Sequence, residues 1–452
     1  MRLLFFLRDT GARRPLYCTR HMKVPRKPDL VSSVVLFAVS YSIFIMSPVQ
    51  QPADSLYSMM VSQNLVRHGT FALDNYRFPT LRPGQDKKYT SNTNIYHLEL
   101  IDGHIYYYYG PGSSVLSAPF VAVMNALGVS VSDSSGAHDP LGEMKIQTRL
   151  ACLLMAALAV VFFLTARLVL PLSWSILVAS FGVFGTQVWS TATRALWAHT
   201  WMIFLLGFVI LMLVAHEMKG RRLRPVVLAT LLSWMYFVRP AAVVPIVIVT
   251  AYILIWRRES FLKYAVTGLA WLAGFVAYSY YHFGQLLPTY YRLGNELSAP
   301  AFGVGLLGNL ISPSRGLLVF VPFLLFIAYL LIRYWRHAST RLALISSAAI
   351  LLHVILVSSF PIWWGGFSFG PRLLTDAVPW FVLLTIISLK AALHLMRGPE
   401  FVVGALLLAL SIGINGRGAT SEATQMWNVR PASVDEHPDR LWDWRDPQFL
   451  AK

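Results

Sequence analysis

Charge is scarce in this chain, and acid scarcer still. Only 13% of its 452 residues are Asp, Glu, Lys or Arg, and 21 of those are acidic. With 56% hydrophobic residues and a mean hydropathy of +0.55, it cannot be a soluble globule. Two cysteines are too few for a disulfide framework; Cys18 lies in a basic arm and Cys152 inside an apolar run, which argues against a bridge. No Cys/His cluster has zinc-ligand spacing, and the P-loop, dinucleotide fingerprint and nucleophile elbow are missing too. ATP-driven work and soluble nucleotide-sugar chemistry therefore find no support. The apolar runs have helix length rather than the ten-residue alternation of an outer-membrane barrel, so the fold class is an all-α polytopic membrane protein.

Apolar runs fall near 30–49, 147–170, 173–190, 198–216, 225–240, 241–256, 264–282, 316–334, 342–360, 374–392 and 400–415. They predict about eleven transmembrane helices. The net charge of +17 does not imply a nucleic-acid partner, because much of it falls in short loops between runs. Lys219/Arg221/Arg222/Arg224, Arg257/Arg258/Lys263, Arg333/Arg336/Arg341 and Lys390/Arg397 occupy alternate connections and are expected to be cytoplasmic. This orientation puts the N-terminus inside and the C-terminus outside. It also requires 113–129, which is short and contains Pro119, to be an interfacial helix rather than a span.

The expected organisation is a cytoplasmic basic arm at 1–29, a transmembrane domain at 30–415 and an outer-face tail at 416–452. Residues 1–29 lack a small-residue cleavage site, so the first helix reads as retained; Met22 is an alternative start. The first outer loop is long, 50–146, and the Trp- and Asp-rich tail is expected to form a small folded or docked cap.

The unusual polar residues gather on the predicted outer side. Asp54 follows the first run and is read either as a solvated helix cap or as a partly desolvated carboxylate able to act as a base or bind a divalent cation. Tyr57 lies beside it. Tyr106 to Tyr109 read mostly as an interfacial belt, while Tyr109-Gly110-Pro111-Gly112 is a tight turn that could hold one ring at a site. His199 opens a run and could pair with a carboxylate or bind a metal, or be a helix-end residue without a special task. Arg194, Arg239, Arg315 and Arg372 run against the positive-inside bias, which suggests that they bind phosphate at the outer leaflet. Each is alternatively a helix-end residue without a special task.

Arg372 ends the segment Trp363-Trp364-Gly365-Gly366-Phe367-Ser368-Phe369-Gly370-Pro371-Arg372, just before Asp376. Such irregular backbone is tolerated at a membrane only against protein or a water-filled cavity. The ligand reading makes Arg372 a carrier-phosphate clamp, gives the glycines close approach, and stacks Trp364 on a sugar or isoprenoid. The alternative is an aromatic belt with a snorkelling Arg.

These residues together resemble the GT-C superfamily of integral membrane glycosyltransferases, in the branch related to protein O-mannosyltransferases and aminoarabinose transferases. The resemblance rests on Asp54 with Tyr57, Asn64, Leu65 and Gly69, on the Tyr109–Gly112 turn, and on Ser312-Pro313-Ser314-Arg315-Gly316-Leu317 with the Trp-Gly-Gly/Gly-Pro-Arg segment. Trp442-Asp443-Trp444-Arg445-Asp446-Pro447 resembles the end of a bacterial subgroup. The resemblance implies transfer of a sugar from a polyprenyl-phosphate carrier to a lipid, glycan or protein acceptor, with inversion. It further implies an outer-face site in a bacterial inner (plasma) membrane. Asp54 would be the catalytic base, with Tyr57, Tyr109, His199, Arg239, Arg315, Trp364 and Arg372 binding substrate. A divalent cation serves some branches, but Asp54 is followed by Ser55, so the paired acids of many relatives are missing and no metal ligands are assigned. Asp102 and Glu296 are the substitutes for a second carboxylate. If the reading holds, Asp54, Arg315 and Arg372 should converge on one cavity. The competing readings are a secondary transporter or lipid-linked-sugar flippase, and a non-catalytic scaffold that binds a partner through its outer loop and tail.

Overall fold

A computed structural model describes residues 27–82, 92–292 and 302–452. The basic arm with Cys18 and Met22, and Glu296, lie outside the described residues. The helices are α1 (Lys27–Met46), α2 (Ser58–His68), α3 (Pro111–Ala126), α4 (Pro140–Arg167), α5 (Leu172–Phe184) and α6 (Ala198–Lys219). Then follow α7 (Pro225–Val238), α8 (Val243–Trp256), α9 (Arg258–Phe283), α10 (Phe302–Ile311) and α11 (Leu317–Phe320). The last are α12 (Phe323–Arg333), α13 (Thr340–Ser358), α14 (Val378–Ala392), α15 (Gly398–Thr420) and α16 (Glu422–Met426).

Every apolar run is helical, and seven helical segments are individually long and apolar enough to cross a membrane. The run at 316–334 is broken: α11 stops at Phe320 and α12 restarts after Pro322, which has no N–H to continue the ladder. α14 is buried along almost its whole length, whereas α1 and α9 expose most of theirs. The basic loops converge on one end of the bundle. Arg167 bonds Asp29 at 2.8 Å, and Glu217 pairs with Arg257 at 2.5 Å and Arg341 at 3.6 Å.

The connection between α1 and α4 is folded rather than loose. α2 packs on α3, and β1 (Leu98–Ile101) pairs antiparallel with β2 (His104–Tyr107). Asp102 and Gly103, at φ +50° and +84°, form the two-residue turn. Asp102 therefore serves the hairpin tip and does not join Asp54 as a second carboxylate. Tyr106, Tyr107 and Tyr108 are buried in protein, not arrayed as a belt.

Gly110 and Gly112 have a different task from flexibility. A Cβ on Gly112 would lie 2.5 Å from the backbone of Phe237 and Val238, and one on Gly110 would lie 2.6 Å from the Phe237 carbonyl oxygen. Only glycine lets the start of α3 abut the end of α7, and that contact brings Tyr109 beside Arg239.

Arg315 is fully buried and uses all five guanidinium N–H groups. Nε donates to the Trp364 carbonyl at 3.0 Å, Nη1 to Ser314 O and Gln448 Oε1 at 2.7 and 2.5 Å, and Nη2 to Gly366 O and Asn428 Oδ1 at 3.3 and 2.8 Å. Gln448 completes the hub: its amide nitrogen donates to Ser368 O and Thr424 O, and its oxygen accepts the Gly370 N–H. The irregular Trp363–Arg372 backbone is thereby satisfied from inside the protein. Trp363, Trp427, Val434, Leu441 and Ala451 close a small apolar cluster that holds the tail against this segment.

Two outcomes follow from these contacts. Lysine at 315 offers three donors to five acceptors, so Arg315→Lys should cost about 2 kcal/mol or more. It should also expose the 421–452 tail to trypsin at Arg440 and Arg445, a cleavage to be read by mass spectrometry. Glu99 is buried in β1 with Oε2 unpartnered, and burial pushes its carboxyl from 4.5 up to about 7 against opposing pulls from Thr289 and Arg292. The fold therefore holds a proton that the unfolded chain releases first, so stability falls as pH rises from about 4.5 to about 7. Glu99→Gln should remove that loss, gaining up to roughly 3 kcal/mol at pH 8 and little at pH 5 in thermal melts.

Candidate active site

Four helix ends meet at the site: the C-terminal ends of α1 and α7, the N-terminal end of α6, and the 3-10 turn Arg372–Ala377 before α14. The stretch from Ser47 to Tyr57 crosses between them. Arg194 holds its start, donating from Nη1 to Ser47 O at 2.7 Å and from Nη2 to Phe44 O at 2.6 Å, which caps the last turn of α1. Arg194 is fully buried and spends its donors on this structural task rather than on a ligand.

Asp54 sits in the turn beyond, with its carboxylate about one third exposed. Oδ2 accepts from Arg372 Nη1 at 3.1 Å, and Oδ1 lies 3.4 Å from the Tyr96 hydroxyl. The Tyr107 hydroxyl donates to the Asp54 carbonyl. His97 Nε2 lies 2.8 Å from the Ala53 carbonyl, which can only accept, so Nε2 carries the proton. Burial pushes the His97 imidazole below its ordinary value, consistent with the neutral ring. Burial and the Asp54 charge push the Tyr107 and Tyr109 phenols upward, so both stay protonated donors.

The Arg372 guanidinium carbon lies 4.2 Å from the centre of the Trp197 ring, a cation–π contact in a dry setting. Its Nε is buried without a partner. Beside it, Arg239 Nε lies 2.9 Å from Asp376 Oδ2, and His199 Nδ1 lies 2.7 Å from Asp376 Oδ1. His353 binds the Leu373 carbonyl at 3.0 Å and completes the surround of Asp376. The carboxylate of Asp376 thus neutralises Arg239 as an ion pair, and the Arg239 guanidinium makes no hydrogen bond among the described residues.

A small cleft lies over this centre. Asp54, Tyr107, Tyr109, Trp197, Arg239 and Tyr290 are in its wall. Three of the sequence candidates are brought together here: Asp54, Tyr109 and Arg239. Arg372 stands behind the wall, reaching Asp54 and Trp197. His199 is buried beneath, on Asp376.

The others go elsewhere. Arg315 has no donor left for a ligand, so it does not converge with Asp54 and Arg372 on the cavity; it joins the tail to the Gly-rich segment. Trp364 is outside the wall and donates from Nε1 to Asp435 at 2.8 Å, so its ring serves the tail. Tyr57 has a left-handed backbone, φ +69°, and its ring packs among Phe78, His97 and His138 rather than facing the cavity. Gly365, Gly366 and Gly370 take φ of +73°, +66° and +59°, and Gly370 lies against Phe320. They shape the loop that carries Arg372 rather than admit a ligand.

Sequence reasoning did not single out Trp197, Tyr290, Glu143 or the Asp376–Arg239 pairing. The Asp102-Gly103 turn between short apolar runs was a usable signal for the hairpin that delivers Tyr107. Nothing in the spacing links Arg239 to Asp376.

Among the described residues no three His, Cys, Asp or Glu side chains gather as metal ligands. Asp54 is already paired with a cation, and its other neighbour is a phenol. These donors do not form a protein-held metal site.

No protein-family model and no curated protein matches the chain. Solved structures do. ArnT from Cupriavidus metallidurans in the apo state is 13% identical with a TM-score of 0.47, over 88% of this chain and 68% of that one. The Archaeoglobus fulgidus oligosaccharyltransferase, tethered by a disulfide to an acceptor peptide containing the NVT sequon, is 11% identical with a TM-score of 0.50. The match covers 92% of this chain and spans 59% of the oligosaccharyltransferase. At such identities the likeness is one of fold. The chain shares its fold with the Archaeoglobus fulgidus oligosaccharyltransferase over most of its length.

Proposed function

We propose that this protein transfers a sugar from a polyprenyl-phosphate carrier to a lipid, glycan or protein acceptor. The reaction takes place at the outer face of a bacterial plasma membrane, with about eleven spans and both the long first loop and the tail on that side. The observation that carries the reading is one cavity holding a partly exposed carboxylate, Asp54, and an arginine, Arg239, with open guanidinium nitrogens. A second arginine, Arg372, is already on the carboxylate.

The charges support a singly charged donor. Asp54 balances Arg372 and Asp376 balances Arg239, so the site is neutral before substrate arrives. A sugar phosphodiester adds one negative charge, which two arginines can share, and the phosphate meets Arg239 from the cavity side. Its approach competes with Asp54 for Arg372 and frees the carboxylate as the donor binds. Asp54 then accepts the proton of the acceptor hydroxyl while that oxygen attacks the anomeric carbon. The anomeric C–O bond breaks on the opposite face, its electron pair leaves with the carrier phosphate, and the arginines stabilise the charge that develops. Configuration inverts. Tyr109 and Tyr290, both partly exposed in the cavity wall, supply the aromatic surface on which a sugar stacks.

Purified protein incubated with a panel of polyprenyl-phosphate sugars should release carrier phosphate with at least one donor. Asp54→Asn should lower turnover by about 10²–10⁴-fold while tightening donor binding, because Arg372 is released from its ion pair. Arg239→Ala should raise the donor KM by about 10–100-fold, the loss of a charge-assisted contact. Full turnover by Asp54→Asn overturns the base assignment. Sugar-lipid flux across proteoliposomes with no glycosyl product would favour transport instead.

A further inference from the structure

The turn that carries Asp54 runs into α2 through Tyr57. Tyr57 takes a left-handed conformation that a bulky residue adopts only when its surroundings impose it. It stands at the N-cap of α2 but offers no side-chain cap. What imposes this geometry lies 86 residues further on, in the first turn of α4.

Glu143 is 1% exposed and its carboxylate takes four donors. Oε2 accepts the Tyr57 N–H at 3.0 Å and lies 2.7 Å from His138 Nε2. Oε1 accepts the Met59 N–H at 3.0 Å and the Gln147 side-chain amide at 3.2 Å. A carboxylate from another helix thus caps α2, where the exposed N–H groups and the helix dipole favour negative charge. Gln147, one helical turn along α4, donates to the Ser55 carbonyl at 2.9 Å and accepts the Leu196 N–H at 3.2 Å. Ser55 and Leu196 both line the cavity, and Leu196 precedes Trp197, on which Arg372 stacks. Gly142 allows the close approach: a Cβ there would lie 1.8 Å from the Ser130 carbonyl oxygen.

We infer that Glu143 is a positioning residue for Asp54, acting with Gln147 as a clamp that sets the carboxylate against Arg372 and the cavity. Neither residue touches substrate. Every backbone bond from α4 to the 55–59 turn runs through these two side chains, and each bond falls within five residues of Asp54. Losing the carboxylate frees two N–H groups and relaxes Tyr57 out of its left-handed state. The neighbouring turn then moves without a change in the helices. The inference rests on the proposed transfer reaction.

The test has two arms, on full-length protein in detergent with Cys18→Ser to leave Cys152, which is buried, as the remaining native thiol. In the first, carrier-phosphate release is measured for Glu143→Gln, Glu143→Asp and Glu143→Ala. Misplacing a reacting group by an ångström costs about 100-fold, so Glu143→Ala should lose about that in kcat, with the donor KM within about twofold. Glu143→Asp, which keeps the charge, should recover part of it. In the second, Ser55→Cys is labelled with a small charged methanethiosulfonate, with and without Glu143→Gln. Labelling should quicken about tenfold when the clamp is opened. Unchanged labelling together with normal specific activity in the folded fraction of every Glu143 variant overturns the inference. The labelling arm needs no turnover, so quickened labelling in a protein that transfers no sugar would keep the clamp and sink the reaction.

Discussion

A buried ionic centre needs its opposite charges at close range, and in this protein that requirement organises everything around the cavity. Asp376 lies in the 3-10 turn before α14 and is enclosed by Arg239 from α7, His199 from α6 and His353 from α13. Removing Arg239 would leave the buried Asp376 carboxylate without its counter-charge, at a cost well above an ordinary hydrogen bond. Four helices are thereby registered against one carboxylate. The same registration turns the open nitrogens of Arg239 toward the cavity and brings Arg372, four residues before Asp376, to Asp54.

The second organising element is the pairing of the tail with the Gly-rich segment. Ser312 Oγ donates to the Leu441 carbonyl, Gln448 N–H donates to Ser314 Oγ, and Arg315 reaches Trp364, Gly366, Asn428 and Gln448. The Ser-Pro-Ser-Arg-Gly run and the C-terminal residues are thus two halves of one lock. Their product is a rigid platform for an irregular loop, and the loop ends in Arg372. Arg315 acts on the site at one remove, by holding the backbone that carries another arginine.

The clamp from α4 does for Asp54 what the tail does for Arg372. Each member of the ion pair sits on a loop, and each loop is held by buried polar side chains from a distant part of the chain. Loops carry chemistry when a rigid scaffold fixes them. Both partners are therefore fixed before substrate binds, and binding need only exchange one contact, Arg372 on Asp54, for phosphate on Arg372.

Sequence alone determined the membrane class and the position of most apolar helices, because hydropathy is local and additive along the chain; it missed α10 (Phe302–Ile311) and the break between α11 and α12. It did single out Asp54, Tyr109, Arg239 and Arg372. Which arginine was open to a ligand depended on tertiary structure. Arg194, Arg239, Arg315 and Arg372 look alike as helix-end cations. Only folding decided that Arg194 caps α1, that Arg315 spends all its donors on carbonyl and amide oxygens, and that Arg239 keeps nitrogens free. The same holds for Trp364, whose partner Asp435 lies 71 residues away, and for Glu143, whose N–H partners lie more than 80 residues back. A guanidinium has five donors and no memory of sequence distance; which acceptors reach it is set by packing between helices, and no local pattern encodes that.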